Sequence, residues 1–300
     1  MEQNNLKSAR FGRVVTAMVT PFGDDGSLDI DKAVSLAKWL TQNGSDGLVV
    51  AGTTGEGPTL TDQEKLDLFE AVANAVTVPV IANTGSNDTA HSVELTEKSA
   101  STGIAGILAV TPYYSRPPQS GIADHFKAIA EAAASLPVLL YDIPIRTGRK
   151  ISDDVLVNLV SNVTNIVGTK DATGDVVGAS RLIKQVPQIE IYSGDDILTL
   201  AFCSHGAVGV IGVATHWIGQ LMGDMIEAID KGDLTSARTL HSDLLPSFSF
   251  VTSERAPNPI PAKAICNELG LDVGSCRLPL GQVPGIEQDA KELLSSLGLT

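Results

Sequence analysis

Lys170 closes the apolar run Asn165-Ile166-Val167-Gly168-Thr169, and Asp171-Ala172-Thr173-Gly174 follows it. Such a run, ending in a lysine and then a Gly-containing turn, reads as a buried strand with the lysine at its C-terminal end. Desolvation disfavours the charged form of an amine. A lysine that gives up its proton is a nucleophile toward ketones and can form a Schiff base. A strand-end lysine whose ammonium reaches water is the commoner arrangement, so Lys170 has to be judged with the groups around it.

Five other stretches offer such groups. Gly52-Thr53-Thr54-Gly55-Glu56 sets two hydroxyls among small residues, so that backbone amides can converge on an anion such as a carboxylate; an ordinary turn also suits Gly and Thr. Thr111-Pro112-Tyr113-Tyr114 holds two of the chain's four tyrosines, either as reactive phenols or as packing surfaces with satisfied hydroxyls. Tyr141-Asp142-Ile143-Pro144-Ile145-Arg146-Thr147-Gly148 joins a phenol able to shuttle protons beside an imine to a guanidinium fork suited to a carboxylate. A surface ion pair is the other reading of Arg146. Ser193-Gly194-Asp195-Asp196 reads as a strand end whose aspartates cap the next helix, and Val210-Ile211-Gly212 as an apolar lining. A nucleophilic amine, a phenol, an anion loop and an Arg fork together fit carbonyl chemistry on a small keto acid.

These groups meet only if the elements carrying them converge at one end. Short apolar runs begin near Val14, Gly47, Val78, Ile104, Pro137, Asn165, Ile189 and Ala207, a spacing that suits βα units. Amphipathic segments separate them: Asp29–Gln42, Thr61–Ala75 (opening on a Thr61…Glu64 capping box), Asp88–Ser101, Gln119–Ala134, Asp153–Val160, Val176–Val186, Asp196–Ser204 and Trp217–Ile229. Eight such units predict an α/β fold, a (β/α)8 TIM barrel, with its chemistry at the strands' C-terminal ends. A doubly wound sheet is the alternative, but no G-x-G-x-x-G follows the first strand. The remaining residues suggest helices at Asp233–Ser253, Pro259–Leu269 and Ile286–Leu297, so residues 1–232 are expected to form the barrel and 233–300 a C-terminal helical extension.

The 300 residues, 43% of them hydrophobic, suffice for one such barrel, and the formal net charge of −14 argues against nucleic-acid binding. No apolar run has membrane-span length, and the polar start, Met1 to Arg10, has no signal-peptide core; cytoplasmic residence is expected. Cys203, Cys266 and Cys276 form no C-x-x-C pair and read as reduced thiols. No His/Cys/carboxylate cluster has zinc-ligand spacing, so no metal is expected.

In order and spacing, Gly52-Thr53-Thr54-Gly55-Glu56, Thr111-Pro112-Tyr113-Tyr114, Tyr141-x-x-Pro144-x-Arg146-x-Gly148, Gly168-x-Lys170-x-Ala172-x-Gly174 and Ser193-Gly194-Asp195-Asp196 are similar to motifs of a known superfamily. It is the dihydrodipicolinate synthase and N-acetylneuraminate lyase superfamily of class I aldolases, and the resemblance runs from about Phe11 to the C-terminus. Thr53-Thr54 stands where sialate lyases usually have Ser-Thr. That pair and Arg146 draw the resemblance toward the dihydrodipicolinate synthases.

The resemblance implies condensation of pyruvate with L-aspartate 4-semialdehyde in diaminopimelate and lysine biosynthesis, without a cofactor. Lys170 would form the imine, and Tyr141 would donate and accept protons. Thr53 would link Tyr141 to a Tyr114 entering from a neighbouring subunit. Thr54 and the loop amides from Gly52 onward would hold the pyruvate carboxylate, and Arg146 that of the semialdehyde. Gly194 would line the pocket, Ile211 would place a carbonyl near the lysine, and a homotetramer, a dimer of dimers, would be the assembly. Cys203-Ser204-His205-Gly206, Gly212 (where Ser is usual) and Asp142 (where Asn is frequent) depart from the family pattern. A sister aldolase taking another aldehyde and a non-catalytic binding member are the alternatives. Members inhibited by lysine bind it in a cleft at the dimer interface. Here that cleft would keep Asn87 and Tyr113, with His91 in place of an acidic residue and Asp62 and Lys65 at two His positions. Weak or absent feedback by lysine is therefore expected.

Overall fold

A computed structural model describes residues 9–299; most of the polar start read above, residues 1–8, lies outside them. Eight parallel strands close a barrel in sequence order: β1 (Val14–Ala17), β2 (Gly47–Val50), β3 (Val80–Asn83), β4 (Gly106–Val110), β5 (Val138–Asp142), β6 (Ile166–Asp171), β7 (Glu190–Ser193) and β8 (Gly209–Gly212). The helices are α1 (Ile30–Gln42), α2 (Asp62–Ala75), α3 (Thr89–Ser99), α4 (Gln119–Ala132), α5 (Pro144–Thr147), α6 (Asp153–Asn162), α7 (Val176–Gln185), α8 (Thr199–Ser204), α9 (Thr215–Asp230), α10 (Leu234–Val251), α11 (Ile260–Glu268) and α12 (Ile286–Ser296). The expected TIM barrel with C-terminal helices is the observed fold, and its strands start within two residues of the expected positions.

Local chemistry sets most boundaries. Side-chain oxygens of Asp29, Thr61, Asp88, Ser152, Asp175 and Asp233 accept backbone N–H groups at the N-termini of α1, α2, α3, α6, α7 and α10, satisfying donors a helix start leaves free. The Thr61–Glu64 capping box is present. One expected helix, Asp196–Ser204, divides into a 3-10 turn at Asp196–Leu198 and then α8.

Phe11, Val15, Val49, Ile81, Leu108, Leu139, Tyr192 and Ile211 fill the barrel's interior. A second core, containing Trp217, Met222, Leu244, Phe248, Ile265 and Leu294, joins α9 to α10, α11 and α12 and reaches Val14 and Val210 of the barrel. No helix among the described residues is long and apolar enough to cross a membrane.

One irregularity matters for the site. Between β5 and β6, Val138 pairs with Ile166 but Leu139 pairs with Gly168, so Val167 is skipped and Tyr141 faces Lys170. Side chains alternate along a strand, so a one-residue slip reverses the face they point to. The bulge is what lets Lys170 share the inner face with Tyr141.

Candidate active site

Lys170 and Tyr141 sit on adjacent strands at the barrel mouth, 5% and 4% exposed. The Lys170 Nζ lies over the Tyr141 ring, 4.4 Å from its centroid, where the ring's negative face favours a cation. No carboxylate lies within ion-pairing distance of Lys170 among the described residues. The other buried lysines differ: Lys263 pairs with Glu56 at 2.7 Å, and Lys65 lies 3.8 Å from Asp62.

The loop after β2 is a cradle. Ala51 and Glu56 bracket it with left-handed backbone, φ 54° and 55°, and a side chain at position 57 would collide with the carbonyl of Ala51. Between the brackets, the amides of Thr53, Thr54 and Gly55 donate to no acceptor among the described residues. Amides left without an acceptor in a tight turn are donors that an anion could use. Thr53 opens to a cavity of about 770 Å³ that Gly52, Tyr141 and Arg146 also line.

Arg146 sits on α5, a four-residue helix between β5 and α6. Pro144 starts the helix and Gly148 ends it at φ 71°. Arg146 is exposed and has no ion-pair partner among the described residues, so its guanidinium is available to the cavity. Tyr114 is 91% exposed at φ 72°, and the cavity lining includes neither it nor Lys170, Thr54, Gly194 and Ile211. Thr53 has no hydrogen bond to Tyr141 or Tyr114 among the described residues.

Gly194 lies beside β6, its amide donating to the Asp171 carbonyl at 2.7 Å. A Cβ there would press on Ala172. Ile211 is fully buried on β8. The expectation that Asp195 and Asp196 cap the next helix is corrected. Neither side chain caps it; Asp196 turns into the protein and accepts the Val213 amide with both oxygens, at 3.2 and 3.0 Å. The competing tertiary partner, the chain end of β8, wins over the local amides. Burial raises the Asp196 carboxyl to about 6, against the pull of the Val213 and Ala214 amides and of the Lys170 charge. A side chain at 212 would collide with this carboxylate, so Gly212 and the inward Asp196 form one solution.

Asp142 is 1% exposed; one oxygen accepts the Ile151 amide at 3.1 Å and Oδ1 has no partner. Burial pushes its carboxyl up to about 7. Asp171, beside it in the sheet, is also raised by burial.

The five cleft positions line the same cavity as Tyr141. The Asp62 carboxylate is taken up by His91 Nε2 at 2.8 and 2.9 Å, and burial lowers the Lys65 ammonium despite Asp62. No group of three or more His, Cys, Asp and Glu with metal-holding geometry occurs among the described residues.

Three residues carry contacts that sequence reading did not assign. Asn258 donates to the Thr54 hydroxyl at 2.9 Å, Glu56 receives the Arg277 amide at 2.8 Å and Lys263, and Asn83 donates to the Ala51 carbonyl at 3.1 Å. A polar residue among Pro257, Pro259 and Pro261 was the one available signal for Asn258. Arg277 also holds Glu64, its guanidinium keeping that carboxyl down at about 2 despite partial burial.

The dihydrodipicolinate synthetase family model matches residues 10–297. The 4-hydroxy-tetrahydrodipicolinate synthase of Moorella thermoacetica is 46% identical over 292 residues, 96% of this chain and 97% of its own. The dihydrodipicolinate synthase of Cyanidioschyzon merolae, solved with lysine bound, superposes with a TM-score of 0.93 at 44% identity, covering 98% of this chain and all of that one. The Acinetobacter baumannii enzyme, complexed with pyruvate, gives 0.91 at 34% identity, covering 97% of this chain and 100% of its own.

Proposed function

The chain belongs to the dihydrodipicolinate synthetase family and is a lyase of the 4-hydroxy-tetrahydrodipicolinate synthase type; we propose that it condenses pyruvate with L-aspartate 4-semialdehyde through an imine on Lys170. The observation that carries this reading is a buried lysine with no carboxylate partner, set over a tyrosine at the barrel mouth. A buried lysine at the C-terminal ends of barrel strands, with no carboxylate to hold it, stands where a barrel does its chemistry.

The Lys170 amine adds to the pyruvate ketone, and loss of water gives the imine. Tyr141, the phenol beside it, moves the protons that carbinolamine collapse and enamine formation require. The Thr53–Gly55 amides and the Thr54 hydroxyl receive the pyruvate carboxylate beside Gly52 of the cavity wall, with Gly194 at the pocket and the Ile211 carbonyl near the lysine. Loss of a methyl proton yields the enamine, whose carbon attacks the aldehyde. The semialdehyde's amine then adds to the imine carbon, closes the ring and expels Lys170. Arg146 holds the semialdehyde carboxylate by its fork.

In this reading residues 1–232 form the catalytic barrel and 233–300 the appended segment, the protein is cytoplasmic, and it works as a dimer of dimers. A Tyr114 reaching the site comes from a second copy, because each chain's own stands in solvent.

Turnover of both substrates in a coupled assay tests the reaction. Arg146→Ala should lower kcat/KM for the semialdehyde by about a hundredfold, the loss of a charged, two-bond contact, while borohydride trapping of pyruvate persists. Equal loss of trapping would move Arg146 into the pyruvate site.

Feedback by lysine should be weak or absent, because Asp62 is already engaged by His91 and a like charge, Lys65, faces an incoming amine. Initial rates with saturating substrates and millimolar lysine should stay within about two-fold of the control. Strong inhibition below the millimolar range would contradict this.

A further inference from the structure

Asn258 and Thr54 are 204 positions apart in sequence, yet Nδ2 of the first donates to Oγ1 of the second at 2.9 Å. Thr54 is 2% exposed. A hydroxyl has one proton and two lone pairs. The amide takes a lone pair, and among the described residues no acceptor takes the proton. Asn258 makes no other hydrogen bond there, its Oδ1 being buried without a partner. Its tie to the protein through polar groups is therefore to Thr54 alone. The neighbouring amides of Thr53, Thr54 and Gly55 are likewise uncommitted donors. Glu56 of the loop is held by Lys263 and by the Arg277 amide.

We propose that Asn258, on the C-terminal segment, is a positioning residue for pyruvate: by occupying a lone pair of Thr54 it keeps that hydroxyl a donor toward the substrate carboxylate. The inference rests on the Schiff-base reading above. It gives the segment after the barrel a part in substrate affinity, one that does not require it to touch the reacting atoms.

The test is borohydride trapping of pyruvate across a concentration series, alongside steady-state rates. Asn258→Ala should raise the pyruvate concentration for half-maximal trapping about five-fold, the range for one neutral hydrogen bond. It should leave kcat at saturating pyruvate, and KM for the semialdehyde, nearly unchanged. In a Thr54→Val background, where half-saturation is already raised, Asn258→Ala should add nothing, since the two act as a unit. Additive effects, or a fall in kcat with KM unmoved, would overturn the proposal. Should Asn258→Ala fail to fold, Asn258→Asp keeps the side chain's size but offers Thr54 an acceptor. It should weaken pyruvate binding more than five-fold, and a wild-type half-saturation would overturn the proposal. If the unaltered chain gave no adduct on Lys170, the Schiff-base reading would fall. A normal adduct with an unshifted curve in Asn258→Ala would sink this inference alone.

Discussion

Two lysines of the protein, Lys263 and Lys170, are both buried and differ in what holds them. Lys263, 2% exposed, has its ammonium 2.7 Å from the Glu56 carboxylate at the end of the β2 loop, over the Phe22 ring and donating to the Ser275 carbonyl. Lys170, 5% exposed, has the aromatic face of Tyr141 and, among the described residues, no carboxylate in ion-pairing reach. Burial lowers the Lys263 ammonium, against the raising influence of Glu56. A buried charge held by its opposite is architecture; one left without it is available for reaction.

The largest effect should come from the unpartnered member. Lys170→Met should cut turnover by at least about 10⁴-fold, since covalent catalysis is lost, while thermal stability holds or rises. A fall in stability comparable to the loss of activity would make Lys170 structural. The paired member should behave in the opposite way. Lys263→Met strands Glu56 as a buried charge and should cost about 3–5 kcal/mol in denaturant unfolding. Adding Glu56→Gln should return much of that, because both charges are then gone. If the double variant were as unstable as the single one, packing rather than charge would explain Lys263.

Sequence patterning could show one half of this contrast and not the other. Lys170 was visible because a strand's apolar run is local and its end is marked by Gly174. The strand positions followed from the same signal. What places Lys170 beside Tyr141 is the skipped Val167, and one residue of register leaves no trace in periodicity. Arg146 was visible as a residue type, but α5, which carries it, is too short to show a helical period. Lys263, Asn258 and Arg277 were invisible as loop supports because their partners lie more than 200 residues away. Asp196 was misread for a related reason: its position suits a cap, but β8 supplied a better partner.

A pH-dependent effect sharpens the comparison from the acidic side. Asp142 is buried beside the reactive pair, and its carboxyl sits near 7 against an ordinary 3.8. A group raised in the folded state contributes stability that is full below its unfolded value and lost as pH rises through the folded one. Asp142→Asn should therefore match the unaltered protein near pH 4. It should then gain on it up to about pH 7, by at most roughly 4 kcal/mol, and hold that margin above. A margin that did not vary with pH would show the group to be charged throughout.

The central claim is that the unpartnered lysine is the one that reacts. Borohydride reduction in the presence of pyruvate, followed by peptide mass analysis, tests it most directly, because reduction makes an imine permanent. The account predicts a single adduct on Lys170, absent from Lys170→Met, with Lys263 and Lys65 unmodified. An adduct on Lys263 or Lys65, or none with a folded protein, would contradict it.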